Sequence, residues 1–316
     1  MRKIKSLLVT SIMALMVCNA FSASPWFTGP LLAPAGKTIP AGHFNIETYG
    51  FFTKNIGVYN RHWKLVHTGS SDSTVLNPLL SYGLADRVDV QFSLPYIINH
   101  SFEATGKHIG DTSALLGLQL WEQKESRWSP NIRFTIQEII PTGRFENLNP
   151  NSNGTDGTGI GSYQTVLGLN FQHLLPLGAH YLRTRLSLGY LHAQPVTVHG
   201  LNSFGGNAFT KGSVTPGNMS TVDLAGEFTI TQNWVAVMEG YYFNRDRTTF
   251  RGYTGVNSKG LPLIIGHNLM AEISLAPAIE YNFSPNFGII AGVWYSVRGK
   301  DAADFKSTVI AFNAYW

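Results

Sequence analysis

Nine charged residues stand in runs whose alternate positions are apolar or small: Asp89 in VDVQFSL, Arg133 in NIRFTIQ, Arg183 and Arg185 in LRTRLSL, Asp223 and Glu227 in VDLAGEF, Glu239 in VMEGY, Glu272 in AEISL and Glu280 in IEYNF. A period of two puts such charges on one face of a strand and the apolar residues on the other. If that polar face lines an interior, Arg133, Arg183 and Arg185 form a basic strip, and Asp223, Glu227, Glu239, Glu272 and Glu280 form an acidic one. Facing strips of opposite sign impose a transverse field that sorts solutes by charge or dipole. The alternative is that the two strips pair with one another and block the interior.

Other residues with chemical potential carry weaker patterns. His62, His67, His100, His108, His199 and His267 show no tight spacing of the HxxxH kind, so neither a metal nor another cofactor is expected. The stretch NGTDGTGIG at 153–161 is glycine-rich but lacks the lysine of a phosphate-binding loop. His173 and His192 fall at segment ends without a neighbouring Ser-Asn-Gly arrangement to orient and use them, so no enzyme activity is expected. A lipid-modifying enzyme remains the third reading, behind an adhesive or structural role for the loops.

The elements that must position these charges follow from the same period. Twelve segments alternate. Outward sets include Phe44, Ile46, Thr48 and Phe52; Leu76, Leu80, Tyr82 and Leu84; Val88, Val90 and Phe92; Leu182, Leu186 and Leu188; and Val222, Leu224 and Phe228. The ninth segment, from Trp234 to Phe243, takes its parity from Glu239, and the eleventh, Phe287 to Val297, is apolar on both faces. Glu138 shares the parity of outward Ile132, Phe134 and Ile136, so it is expected above the hydrocarbon or displaced by a bulge. Pro78, Pro95 and Pro277 fall inside segments and predict bulges or strand ends there.

Connections alternate too. Short links at 85–86, 122–130, 174–179, 231–233 and 282–286 separate pairs joined by long polar stretches at 53–73, 99–110, 141–162, 192–220 and 244–268. Trp121, Trp128, Phe171, Trp234, Tyr281 and Phe287 gather near the tight turns, and Tyr96, Tyr190, Tyr242 and Tyr295 near the long loops. Two aromatic girdles, an even strand count and loops of unequal length on the two rims are features of outer-membrane barrels. The expected fold is therefore an all-β, antiparallel up-and-down transmembrane barrel of about 12 strands in a Gram-negative outer membrane. Its final strand ends on Phe312 and Trp316 in outward parity, with Tyr315 facing inward, which resembles the signal read by the barrel-assembly machinery.

The N-terminus fits export. Arg2, Lys3 and Lys5 precede an apolar run from Leu7 to Val17 and a small-x-small site at Ala20-Phe21-Ser22, so residues 1–22 read as a signal peptide. Its removal takes three basic and no acidic residues from totals of 23 and 19, leaving a nearly neutral chain without the electrostatic footprint of a nucleic-acid binder. The single cysteine, Cys18, leaves with it. Residues 23–41 are expected as a periplasmic segment and 42–316 as the barrel, with outer-membrane lipid and lipopolysaccharide as partners.

Four stretches in order, TIPAGHFNIETYGFF (38–52), LLSYGLADRVDVQFSLPYI (79–97), HIGDTSALLGLQLWEQ (108–123) and IRFTIQEIIPTGRF (132–145), carry a family resemblance. They resemble the bacterial outer-membrane family labelled for the MetA pathway of phenol degradation, over about residues 38–190. The matching motifs mark turns and strand ends, so the resemblance implies a barrel and a transporter-like role. The label implies an association with aromatic degradation without specifying a substrate. The expectation is an outer-membrane channel or transporter for small solutes, aromatic or hydrophobic compounds among them.

Overall fold

A computed structural model describes residues 24–124 and 129–316; the signal peptide expected over residues 1–22 and Trp128 lie outside the described residues. In chain order the strands are β1 (Phe44–Tyr59), β2 (Leu65–Ala85), β3 (Val88–Ser93), β4 (Tyr96–Ser101), β5 (Ala104–Ile109) and β6 (Thr112–Trp121). Then follow β7 (Asn131–Ile140), β8 (Gln164–Leu177), β9 (His180–Ala193), β10 (Val196–His199), β11 (Lys211–Thr215) and β12 (Met219–Thr229). The last six are β13 (Trp234–Arg245), β14 (Thr249–Tyr253), β15 (Met270–Leu275), β16 (Ala278–Ser284), β17 (Phe287–Lys300) and β18 (Ala302–Tyr315).

A 15-stranded antiparallel sheet closes on itself, because β1 pairs with both β2 and β18. Three staves of this wall are broken in two, as β3 with β4, β5 with β6, and β15 with β16, which leaves the barrel twelve staves. Proline explains two of the breaks, since it donates no amide to the ladder. Pro95 separates β3 from β4, and Pro277 separates β15 from β16. Pro78 stays inside β2 opposite Thr48, and Leu94 donates to its carbonyl, so the missing donors of Pro78 and Pro95 fall at one place in the wall.

The two faces differ as the alternation requires. Outward Leu80, Leu224 and Phe312 are 48%, 59% and 49% exposed, whereas inward Glu227, Val235 and Ser307 are fully buried. A wall that exposes its large apolar residues and buries its charges is turned toward lipid. The tight-turn rim carries a ring of touching aromatics, including Trp234 on Tyr281 at 4.7 Å, Tyr281 on Phe283 at 4.8 Å and Phe44 on Tyr82 at 4.4 Å. Trp316 is outward and 54% exposed, while Tyr315 stacks inside on His43 at 5.2 Å. In the eleventh segment, Phe287, Val293 and Val297 are exposed and Ile290 is buried.

Several expectations are corrected. Stretches 53–73 and 99–110 are not open loops, because β1 with β2 and β4 with β5 continue as hairpins beyond the apolar band. Above the lipid a strand need not alternate, so its period fades from the sequence while its ladder persists. No bulge displaces Glu138. The row Ala114–Glu138–Thr165 is in continuous register, and Thr165 Oγ1 donates to the carboxylate at 2.7 Å. The row continues to His192, two positions above Tyr190, so Glu138 stands at the upper aromatic level.

Over the long-loop rim, β10, β11 and β14 form a separate three-stranded sheet around Val198, Val214 and Ile265. The 141–163 connection is tied down by Asp111, which accepts from the Gly143 and Ile160 amides at 2.9 and 3.1 Å.

Candidate functional site in the lumen

The largest correction concerns residues 24–41. This segment does not hang in the periplasm; it runs inside the barrel, where most of its hydrogen bonds are made through its backbone. Pro30, Pro34 and Pro40 keep it extended and out of the ladder, so its remaining amides need side-chain partners. Glu280 accepts from the Thr28 and Gly29 amides at 2.9 and 3.3 Å. Glu239 accepts from three consecutive amides, Leu31 at 2.8, Leu32 at 3.1 and Ala33 at 2.8 Å.

The carbonyls are met by donors from the opposite strip. Arg185 Nη1 donates to Ala33 O at 2.9 Å, Arg133 Nη1 to Ala35 O at 3.4 Å and Gln119 Nε2 to Gly36 O at 3.0 Å. Farther along, the Thr38 amide donates to Gln119 Oε1 at 2.7 Å and the Ile39 amide to Asp89 Oδ2 at 2.9 Å. The segment then reaches β2, where Gly42 N donates to Gly83 O at 2.9 Å. A Cβ at Gly83 would lie 1.9 Å from Pro40 O, so only glycine permits this approach. Taken in order, the partners stand on β16, β13, β9, β7, β6, β3 and β2. The segment is an internal collar that follows the wall around the lumen.

The charged strips are therefore not separated across open water. Arg183 and Glu227 are direct partners in the β9–β12 register and form a two-pronged ion pair, with Nε to Oε2 at 2.6 Å. Arg185 Nε approaches the same carboxylate at 3.4 Å, and Arg133 Nη2 meets Asp89 Oδ1 at 2.6 Å. Such pairs, closed on both sides by hydrogen bonds, survive burial because neither charge is left alone. Arg183 also lies over the Phe27 ring, 4.1 Å from its centre, which clamps the start of the collar.

Asp223 and Glu272 stand apart from this arrangement. Asp223 is buried and lines the cavity beside the collar, and its Oδ1 has no hydrogen-bond partner. Glu272 sits nearer the long-loop rim, opposite Phe243.

A cavity of about 640 Å³ remains between the collar and the wall. Residues that sequence reasoning did not single out dominate one side of it. Tyr49 and Phe51 on β1, Tyr241 on β13 and Trp294 on β17 all point inward. Phe51 and Tyr241 each meet Trp294 edge-on, with centroids 6.4 and 6.3 Å apart, and Tyr49 stacks on Phe51 at 5.9 Å. Parity held the signal for three of them. Tyr49 and Phe51 continue the odd positions of Asn45 and Glu47, and Tyr241 lies two places after Glu239. Below this arc, Leu31 of the collar packs into a buried apolar cluster with Val235, Val237, Ile290, Val309 and Ala311, so part of the lumen is a core rather than a polar channel.

On the outer face, His192 Nδ1 lies 3.0 Å from Asn218 Oδ1. The neighbouring Thr165 hydroxyl is directed to Glu138 instead, and no hydroxyl is hydrogen-bonded to His192 among the described residues.

Comparison with solved structures agrees with this wall. The structure is similar to a COG4313 outer membrane channel from Pseudomonas putida F1, with 14% identity, 90% of this chain and 100% of that one covered, and a TM-score of 0.66. The fold is that of a bacterial outer-membrane barrel. The NanC porin (10% identity, 85% and 98% covered, TM-score 0.43) and the translocator domain of the autotransporter NalP from Neisseria meningitidis (12%, 87% and 89%, 0.42) overlap more loosely. No protein-family model and no curated protein matches the sequence. The likeness to the MetA-pathway family thus rests on the quoted turn motifs alone.

Proposed function

We propose that the protein is a constricted outer-membrane channel that passes small solutes, apolar and ring-bearing ones among them, through the lumen beside its N-terminal collar. The observation that carries this reading is the cavity of about 640 Å³ bounded jointly by the collar and the inner wall. A barrel filled only for rigidity would leave no such space beside its inward side chains. Here an arc of aromatic rings faces open space. The similarity to a structure described as an outer membrane channel supports the same reading.

The test is single-channel recording in planar bilayers, comparing the mature protein with a variant lacking residues 24–39. Small, discrete steps are expected from the intact barrel and steps several-fold larger after deletion. Silence from both, with correct insertion shown by heat-dependent gel migration, would refute the channel and favour a role for the outer loops. Release of fatty acid from the bilayer would favour an enzyme.

A further inference from the structure

We propose that the lumen holds a binding site for an aromatic ammonium, a solute with one ring and a protonated amine, formed by Asp223 with Tyr241, Trp294 and Phe51. The proposal deepens the channel reading by naming a class of permeant, and its biological meaning rests on that reading.

The carboxylates around the cavity differ in what they already hold. Glu47 accepts from Asn45 Nδ2 at 3.1 Å, the Tyr49 hydroxyl at 2.9 Å and Asn313 Nδ2 at 2.9 Å. Asp89 takes the Ile39 amide and the Arg133 guanidinium. Asp223 is 4% exposed, lines the same cavity, and keeps a buried oxygen without a partner. The guanidiniums facing the cavity are each tied elsewhere, Arg133 to Asp89 and Ala35 O and Arg185 to Glu227 and Ala33 O, although the Nε of each keeps no hydrogen-bond partner and none of their hydrogen bonds goes to Asp223. A buried carboxylate oxygen with unused acceptor capacity calls for a donor, and one bearing positive charge satisfies it best.

The rings supply the rest. Asp223 is the direct register partner of Tyr241, and the Tyr241 ring stands perpendicular to Trp294 at 6.3 Å. The indole is fixed by its Nε1 bond to Ser274 Oγ at 2.9 Å and meets Phe51 on its other side at 6.4 Å. An ammonium against Asp223 would lie beside the negative ring faces, which attract cations, while its own ring extends along the arc. A benzoate would bring a second negative charge to Asp223, and a neutral alcohol would forgo both electrostatic contributions.

Benzylammonium is the probe, with benzyl alcohol and benzoate as neutral and anionic isosteres. Calorimetric titration of detergent-solubilised protein is expected to show saturable binding of benzylammonium, at least about tenfold tighter than either isostere. In bilayers the same order is expected for block of the ionic current. Asp223→Asn should erase the preference for the amine over the alcohol, and Trp294→Leu should weaken the amine while leaving a residual preference. If either variant does not insert, the other and the wild-type isostere comparison decide. Equal affinity for the three probes in a conducting barrel overturns the site and leaves the channel standing. A barrel that conducts nothing yet binds the amine selectively overturns the channel reading and leaves the site.

Discussion

The two sides of the lumen obey one alternation rule and end in different states. On β3, β6, β7, β9 and β12 most inward residues are charged or amide-bearing and are tied to a partner or to the collar's backbone, although Arg133 Nε, Arg185 Nε and Asp223 Oδ1 keep no hydrogen-bond partner. Midway along β1, on upper β13 and on β17, aromatic side chains point inward and face a cavity. Parity decides which side chains enter a barrel. What they meet there decides whether the region becomes a lock or a passage. The polar arc is a lock, and its charges anchor a strap instead of presenting a field.

The difference predicts a graded series of losses. The largest is expected from Glu239→Ala, which strands three amides that share one carboxylate. Each unpaired buried amide costs about 1–3 kcal/mol. The collar should become cleavable by added protease and the single-channel current should rise; a variant with a protected collar and wild-type current would show that the proline-rich backbone holds itself. Next comes Arg183→Leu, which removes the closest partner of Glu227 and the cation over Phe27. Breaking a buried pair from one side costs about 3–5 kcal/mol, reduced here because Arg185 remains near the carboxylate. A lowered temperature of heat-dependent gel migration should report it, and the double variant Arg183→Leu, Glu227→Leu should recover part of the loss. The smallest effect belongs to the other side. Phe51→Ala should cost about 1 kcal/mol and leave the collar protected, since Phe51 reaches it only through the apolar cluster around Leu31 and no collar amide or carbonyl depends on it. Release of the collar in that variant would mean that the two sides are one cooperative unit.

Much of the wall was legible because lipid enforces it. Leu80, Leu224 and Phe312 are outward by parity and by exposure alike, and Tyr315 and Trp316 fall on opposite faces as their neighbours require. The inward position of Asp89, Arg133, Arg183, Arg185, Asp223, Glu227, Glu239 and Glu280 was readable on the same ground. Their partners were not. Glu239 binds the amides of Leu31, Leu32 and Ala33, and a backbone N–H is the same under every residue but proline, so no side-chain pattern announces it. Arg183 with Glu227 was hidden for another reason: it depends on the stagger between β9 and β12, which the loop between them conceals. Trp294 was ambiguous because its strand is apolar on both faces.

The collar also constrains the order of assembly. Its residues precede every strand in the sequence, yet their partners Glu280 and Asp89 stand on β16 and β3, at opposite ends of the strand order. Both seats are available together only in a wall that has curled far enough to bring β3 and β16 to one lumen. A collar seated at both ends thus completes its contacts only as the wall curls around it. Until then its amides lack these partners, and a barrel closed around an undocked collar would be a wider pore than the finished one.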